Sequence, residues 1–337
     1  MAEILADRAL WLPLTFAALM GLSILIYVVL DGFDLGVGLL FPFADAAEKD
    51  RMVSSIGPFW DANETWLVMA IGLLLVAFPV AHGAILTALY LPVAVMLVGL
   101  ILRGVAFEFR VKAPLTYKGG WNFAFFAGSL MTSLAQGFML GMYIMGLEYS
   151  WGHVAFAALT AVFLTVGYSF IGAAWLIGKT QGALQDKAVE WAQGGIWGLL
   201  LGIGAISVAS PLVSDRIFEK WFSFPETLWL APFPILSAIL IGVLWATLRR
   251  LPTDDDSYAW APFWSGTGLF VLAFLGMAYS FYPFVVPERL TIYEAASAPE
   301  SLIIILVGAV VVMPIIAAYT LLAYVVFRGK ATDLRYD

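Results

Sequence analysis

The chain has 337 residues, of which 62% are apolar and only 12% are charged, and its mean hydropathy is +0.92. Soluble domains carry about 25% charged residues, so this composition excludes an ordinary water-soluble protein and indicates a lipid bilayer as the solvent. A net charge of −7 argues against a nucleic-acid partner, and the absence of cysteine excludes disulfides, thiolate metal sites and iron–sulfur clusters. The two histidines, His82 and His153, leave little for haem or metal ligation, so we expect no metal site.

Charge-free runs long enough to cross a bilayer occur along the whole chain, since one crossing needs about 20 apolar residues. The run over 65–102 is too long for one crossing, and the turn-forming residues 78–83 divide it into two spans. The first of these is long enough only if it extends back through Glu64 and Asp61 toward Ile56. The runs predict an all-α polytopic membrane protein, a single membrane domain over 1–337 with nine spans at 10–43, 56–78, 84–102, 120–146, 153–178, 191–213, 228–248, 259–284 and 301–327.

Lysine and arginine predict the orientation, because short cytoplasmic loops carry the positive excess. With nine spans, four basic residues fall on the N-terminal side of the membrane and thirteen on the opposite side. We therefore expect the N-terminus outside and the C-terminus in the cytoplasm. The first apolar run lacks a basic leader and a small-residue cleavage site, so we expect it to be a retained span rather than a signal peptide.

Four acids and one arginine are predicted to gather at the cytoplasmic ends of the first three spans: Asp31, Asp34, Asp61, Glu64 and Arg103. Each pair of acids is three residues apart, so each pair shares a helix face, and we expect both faces to point into the protein. A charge near the bilayer centre costs about 2.5–3.5 kcal/mol, so such residues are usually paired, functional or both.

Two interpretations of these residues remain open from the sequence. In the functional one, the acids form an entry path for protons or cations from the cytoplasm, best placed at Asp61 and Glu64, with Arg103 as a counter-ion. In the structural one, Arg103 only neutralises an acid, and Asp31 and Asp34 lie at the membrane interface because the residues before them already span. A proton- or ion-coupled transporter and a purely structural scaffold are the corresponding alternative functions.

Several motifs carry a resemblance to a known family. They are Tyr27 to Gly38 (YVVLDGFDLGVG), Gly57 to Leu67 (GPFWDANETWL), Arg103 to Arg110 (RGVAFEFR), and shorter matches at 282–287 and 319–329. In these motifs the chain resembles subunit II of the bd-type quinol oxidases, in particular the cyanide-insensitive branch.

The resemblance implies a haem-free subunit II beside a subunit I of similar fold in the bacterial cytoplasmic (inner) membrane. Subunit I would hold two haems b and one haem d, oxidise quinol at an outward loop and reduce dioxygen to water, which generates proton motive force without pumping. The Trp–Asp of the second motif, here Trp60 and Asp61, would lie on a proton path from the cytoplasm. The resemblance also admits membrane lipid, a small single-helix accessory subunit and, as in some members, a quinone held by subunit II as a structural ligand.

The sequence departs from the family at a few positions. Ala62 replaces a frequent glycine, Tyr293 and Glu294 stand where others have Trp–Asp, and Glu64 stands where some members have glutamine. The last departure adds an acid to the expected path.

Overall fold

The protein is a bundle of long apolar helices, and the computed structural model describes residues 8–253 and 255–331. Arg335, one of the thirteen basic residues counted above, lies outside them. Within the described residues, nine helical segments are long and apolar enough to cross a membrane, which confirms the predicted number. The helices are α1 (Arg8–Leu40, extended by a 3-10 turn at Phe41–Phe43), α2 (Ala46–Ile56), α3 (Trp60–Ala77), α4 (Pro79–Lys112), α5 (Leu115–Ile144), α6 (Trp151–Lys179), α7 (Ala183–Val213), α8 (Asp215–Phe222), α9 (Glu226–Leu230), α10 (Pro232–Leu248), α11 (Ala261–Phe281), α12 (Ile292–Ala295) and α13 (Pro299–Val326).

Glycine and proline set the boundaries around α3. A span was expected from residue 56, but α2 ends at Ile56 and α3 begins at Trp60, because Pro58 has no N–H with which to continue α2. The predicted turn at 78–83 is reduced to Phe78, which has φ −132° and ψ 59°, and Pro79 starts α4. The third spanning helix runs on to Lys112, well beyond the expected end at 102.

A short antiparallel strand pair interrupts the helices between α11 and α13. β1 (Phe284–Val286) pairs with β2 (Leu290–Thr291), and the Tyr143 hydroxyl donates a hydrogen bond to the Val285 carbonyl at 2.9 Å. The eighth span was expected to reach residue 284 but α11 ends at Phe281, because Pro283 has no N–H to continue a helix.

Helix α1 is held at the centre of the bundle by close packing against α6. A Cβ built on Gly36 would lie 1.8 Å from the Tyr168 carbonyl oxygen, and one on Gly172 would lie 2.4 Å from the Gly36 carbonyl carbon. The two backbones therefore touch, as small residues allow in membrane helices. Near this contact, the rings of Phe33 and Trp175 stack at 4.1 Å. This packing fixes the part of α1 that carries Asp31 and Asp34.

Replacing Gly36 with alanine is expected to force α1 and α6 apart, because backbone cannot move away from the new Cβ as a flexible side chain could. Overpacking of this kind costs about 1–3 kcal/mol, so the midpoint of thermal unfolding in detergent should fall. The matched control is Gly194→Ala in α7, where an added Cβ meets nothing within 4 Å. An unchanged midpoint in the Gly36 variant would contradict the backbone contact.

Candidate functional site

Arg103 lies at the centre of a buried polar cluster, which we call the Arg103 cluster: Asp31, Asp34, Asn63, Glu64 and Arg103. The arginine is 1% exposed and comes from α4. Its Nη1 donates a hydrogen bond to Asp31 Oδ1 at 2.6 Å, and its Nη2 lies 3.5 Å from Glu64 Oε1. One guanidinium thus joins acids from two other helices, α1 and α3.

Asp34 is held by an amide rather than by a cation. Asn63 Nδ2 donates to Asp34 Oδ2 at 2.8 Å and to the Leu30 carbonyl at 3.3 Å. The Tyr324 hydroxyl of α13 donates to Asn63 Oδ1 at 3.1 Å. Asn63 therefore connects α1, α3 and the last spanning helix, a role that the sequence did not reveal.

Asp31 and Asp34 are fully buried within the protein, and their depth in the membrane stays a prediction. Helix α1 continues to Leu40, so both acids lie inside the helix rather than at its end. Their carboxyl groups face α3 and α4, in agreement with the expectation that this pair points into the protein.

Asp61 does not join the Arg103 cluster. Its side chain is exposed on the surface of the chain, in the first turn of α3, whereas the Glu64 side chain is 26% exposed and reaches Arg103. Residues three apart are offset by about 60° around a helix, so one can face the interior while the other faces outward. The expectation of an inward face thus holds for Glu64 but is wrong for Asp61. Trp60 is half-buried beside them, with its ring 5.2 Å from that of Phe107.

A second hydrogen-bonded group lies one turn before Asp31 on α1. Gln136 Nε2 of α5 donates to the Tyr27 hydroxyl at 2.6 Å, and the Tyr168 hydroxyl donates to Gln136 Oε1 at 2.8 Å. Tyr27 and Tyr168 are buried. This chain of polar groups extends from the Arg103 cluster between α1, α5 and α6, and sequence reasoning missed it.

Charge and hydrogen bonding are both incomplete within the Arg103 cluster. Among the described residues, three carboxyl groups (Asp31, Asp34 and Glu64) share a single guanidinium. Four buried atoms of the cluster make no hydrogen bond to the described part of the protein: Asp31 Oδ2, Asp34 Oδ1, Glu64 Oε1 and Arg103 Nη2. Buried polar atoms normally have protein or water partners, so this region is suited to hold water and a mobile proton.

The described residues offer no group of three or more His, Asp or Glu side chains arranged to hold a metal ion. His82 and His153 are only partly buried, in the first turns of α4 and α6, and the His153 ring is hydrogen-bonded to the Glu148 carbonyl at 2.8 Å. A haem pocket needs an axial ligand inside the bundle, which these two side chains do not provide.

Comparison with known families decides the identity. The family model described as cytochrome bd terminal oxidase subunit II matches residues 12–327. The chain belongs to this family. As subunit II of a bd-type quinol oxidase, it is a multi-pass protein of the bacterial inner membrane and has a subunit I as its partner, in a complex that contains haem.

Relatives of known identity cover nearly the full length of this subunit II. The chain is 29% identical to the cytochrome bd-I ubiquinol oxidase subunit 2 of Escherichia coli K12, over 93% of each chain. It is 28% identical to the cytochrome bd ubiquinol oxidase subunit 2 of Bacillus subtilis, over 91% of this chain and 93% of that one. A chain of the bd oxidase structure from Geobacillus thermodenitrificans has the same fold, with a TM-score of 0.74 at 17% identity over 95% of this chain and 99% of that chain.

Proposed function

We propose that this subunit II carries protons from the cytoplasmic side toward the site of dioxygen reduction, and that it also supports subunit I. One observation carries the proposal: exposed Asp61 leads through Glu64 to the buried Arg103 cluster. A carboxylate at the surface is thereby connected, over one turn of α3, to acids inside the membrane-spanning bundle. The family assignment also favours an oxidase over the transporter that the same acids suggested.

The proposed reaction is oxidation of quinol, the substrate class named for the Escherichia coli and Bacillus subtilis relatives. In the proposed complex subunit I holds two haems b and one haem d, and membrane lipid and a small single-helix subunit complete the assembly. Reduction of dioxygen to water consumes protons as well as electrons. If these protons enter from the cytoplasm and quinol releases its own outside, the reaction separates charge across the membrane without a pump.

The residues of the path have different roles. Asp61, beside Trp60, is the entry group because solvent or a partner surface can reach its carboxyl. Glu64 is the next group inward, and Asp31 and Asp34 are the acids behind it. Arg103 is a counter-ion that holds Asp31 and Glu64 in place, since arginine does not give up its proton in a protein. With three carboxyl groups and one cation, the cluster has carboxyl groups that no cation neutralises, and these can take up a proton.

The position of Asp61 also indicates where subunit I binds. An acidic side chain that faced lipid would be costly, so the surface around Asp61 is best explained as contact with another protein. Neighbouring α3 side chains on that surface are large and apolar, including Val68, which is 71% exposed, and Leu75. We therefore place subunit I against α3, beside the entry of the path.

Replacing Asp61 with asparagine tests the path directly. Because asparagine keeps nearly the size and shape of aspartate, the variant should assemble with subunit I as the wild type does, while quinol-oxidase turnover and proton uptake fall at least about tenfold because the proton-carrying group is lost. The matched control is Asp186→Asn, an exposed acid in the first turn of α7, which should keep full turnover.

Two outcomes would contradict the proposal. Unchanged turnover in the assembled Asp61→Asn complex would exclude Asp61 from the path. Loss of subunit I from the purified variant would instead indicate that Asp61 has a scaffolding role.

A further inference from the structure

An open groove lies where α4 ends and α5 begins. Its volume is about 530 Å³, and its wall is mainly apolar. The residues that line it include Phe109, Lys112, Tyr117, Gly120, Trp121 and Ala124. Aromatic side chains that flank a cation at the end of spanning helices are typical of the level where lipid headgroups meet the acyl region.

Lys112 has no ion-pair partner among the residues that the structure describes. Nearby, Asp50 of α2 accepts hydrogen bonds from Arg110 at 2.7 Å and from Lys118 at 2.9 Å. Burial by itself raises the pKa of Asp50, but the hydrogen bonds from Lys118 and Arg110 lower it by more. The pKa therefore lies below its ordinary value, and the carboxylate is ionised at neutral pH. Lys112 is exposed and forms no ion pair with any described residue, and the acid closest to it in sequence, Glu108, is exposed as well. The charge of Lys112 is therefore available to an anion.

The groove does not face the surface that carries Asp61. Phe107 packs against Trp60 of α3, and Phe109 is two residues further along α4, about 200° around the helix. Phe109 instead packs against Trp121 of α5, with ring centroids 5.5 Å apart, and is 58% exposed. Since the groove lies on the side of α4 away from α3, it is on a different face from the proposed contact with subunit I.

We propose that this groove binds an anionic phospholipid. The acyl chain lies along Phe109, Gly120, Trp121 and Ala124, and the phosphate is held by Lys112 with the exposed Tyr117 beside it. Gly120 leaves room for the chain, because a Cβ built on it meets nothing within 4 Å. Charge complementarity selects an anionic over a zwitterionic headgroup, since a lysine near the surface attracts anionic lipid.

Native mass spectrometry of the purified oxidase complex tests this site. The complex is incubated with detergent micelles that contain equal amounts of phosphatidylglycerol and phosphatidylcholine, and the lipids retained are counted. Lys112→Gln should weaken retention of one phosphatidylglycerol about fivefold, the effect of one lysine near an anionic surface. Gly120→Leu should displace both lipids from the groove, because its side chain fills the space of the acyl chain.

The matched control is Lys49→Gln on α2, which removes a lysine that has no ion partner among the described residues and does not line the groove. It should retain phosphatidylglycerol as the wild type does. Retention of phosphatidylglycerol and phosphatidylcholine to the same extent, or equal retention by the wild type and Lys112→Gln, would overturn the proposal. The proposal would also be overturned if a polypeptide of the complex occupied the groove and kept both lipids out of it.

Discussion

An Arg103→Gln variant is expected to yield little assembled oxidase. Arg103 is 1% exposed and is the only cation that the described residues place beside Asp31 and Glu64. Removing one partner of a buried ion pair costs about 3–5 kcal/mol, because the buried charge left behind has no counter-ion. That amount is a large fraction of the stability of a typical protein.

The measurement is the amount of subunit II that co-purifies with subunit I, together with the midpoint of thermal unfolding of whatever complex forms. Arg250→Gln is the control, since Arg250 is exposed and makes no ion pair with a described residue. Arg103→Lys should lie between the two, because lysine keeps the charge but cannot reach Asp31 and Glu64 at once in the geometry of a guanidinium. A normal yield of the glutamine variant would show that the pair contributes little to the fold.

The number and order of the spanning helices followed from the sequence because charge is scarce. Charged residues are excluded from the lipid, so the uncharged runs between them mark the spans almost one for one. The same reasoning brought Asp31 and Arg103 together, since the ends of consecutive helices must meet on one side of the membrane. It failed at the boundaries, where Gly57, Pro58 and Pro283 end helices within or beside apolar sequence.

Much of the candidate site could not be predicted in this way. Asn63 and Gln136 are neutral amides, so they do not interrupt a charge-free run and gave no signal, although each connects three helices. Their importance depends on which faces of the helices meet, and a sequence read one span at a time contains no such information. Asp61 itself was picked out from the sequence, but its exposure was not predicted, since the rule that intramembrane acids face inward applies to a whole complex rather than to one subunit.

The double variant Asp31→Asn with Arg103→Gln separates a structural pair from a conducting one. Removing both charges leaves two neutral amides that can bond to each other, and replacing both members of a buried pair is often neutral or even stabilising. Glu64 also loses its cation, but its side chain is 26% exposed and can be reached by water. We therefore expect the double variant to recover most of the assembly that Arg103→Gln loses, measured again as subunit II that co-purifies with subunit I.

Turnover should not recover with it. If Asp31 accepts protons behind Glu64, asparagine at this position blocks that step however well the complex assembles, and quinol-oxidase turnover should stay at least about tenfold below the wild type. Comparing the two measurements distinguishes a proton-conducting Asp31 from a structural one. If Asp31 were only structural, turnover would recover together with assembly. A double variant with normal yield and normal turnover would therefore restrict the proton path to Asp61 and Glu64 and leave the Asp31–Arg103 pair as a structural contact between α1 and α4.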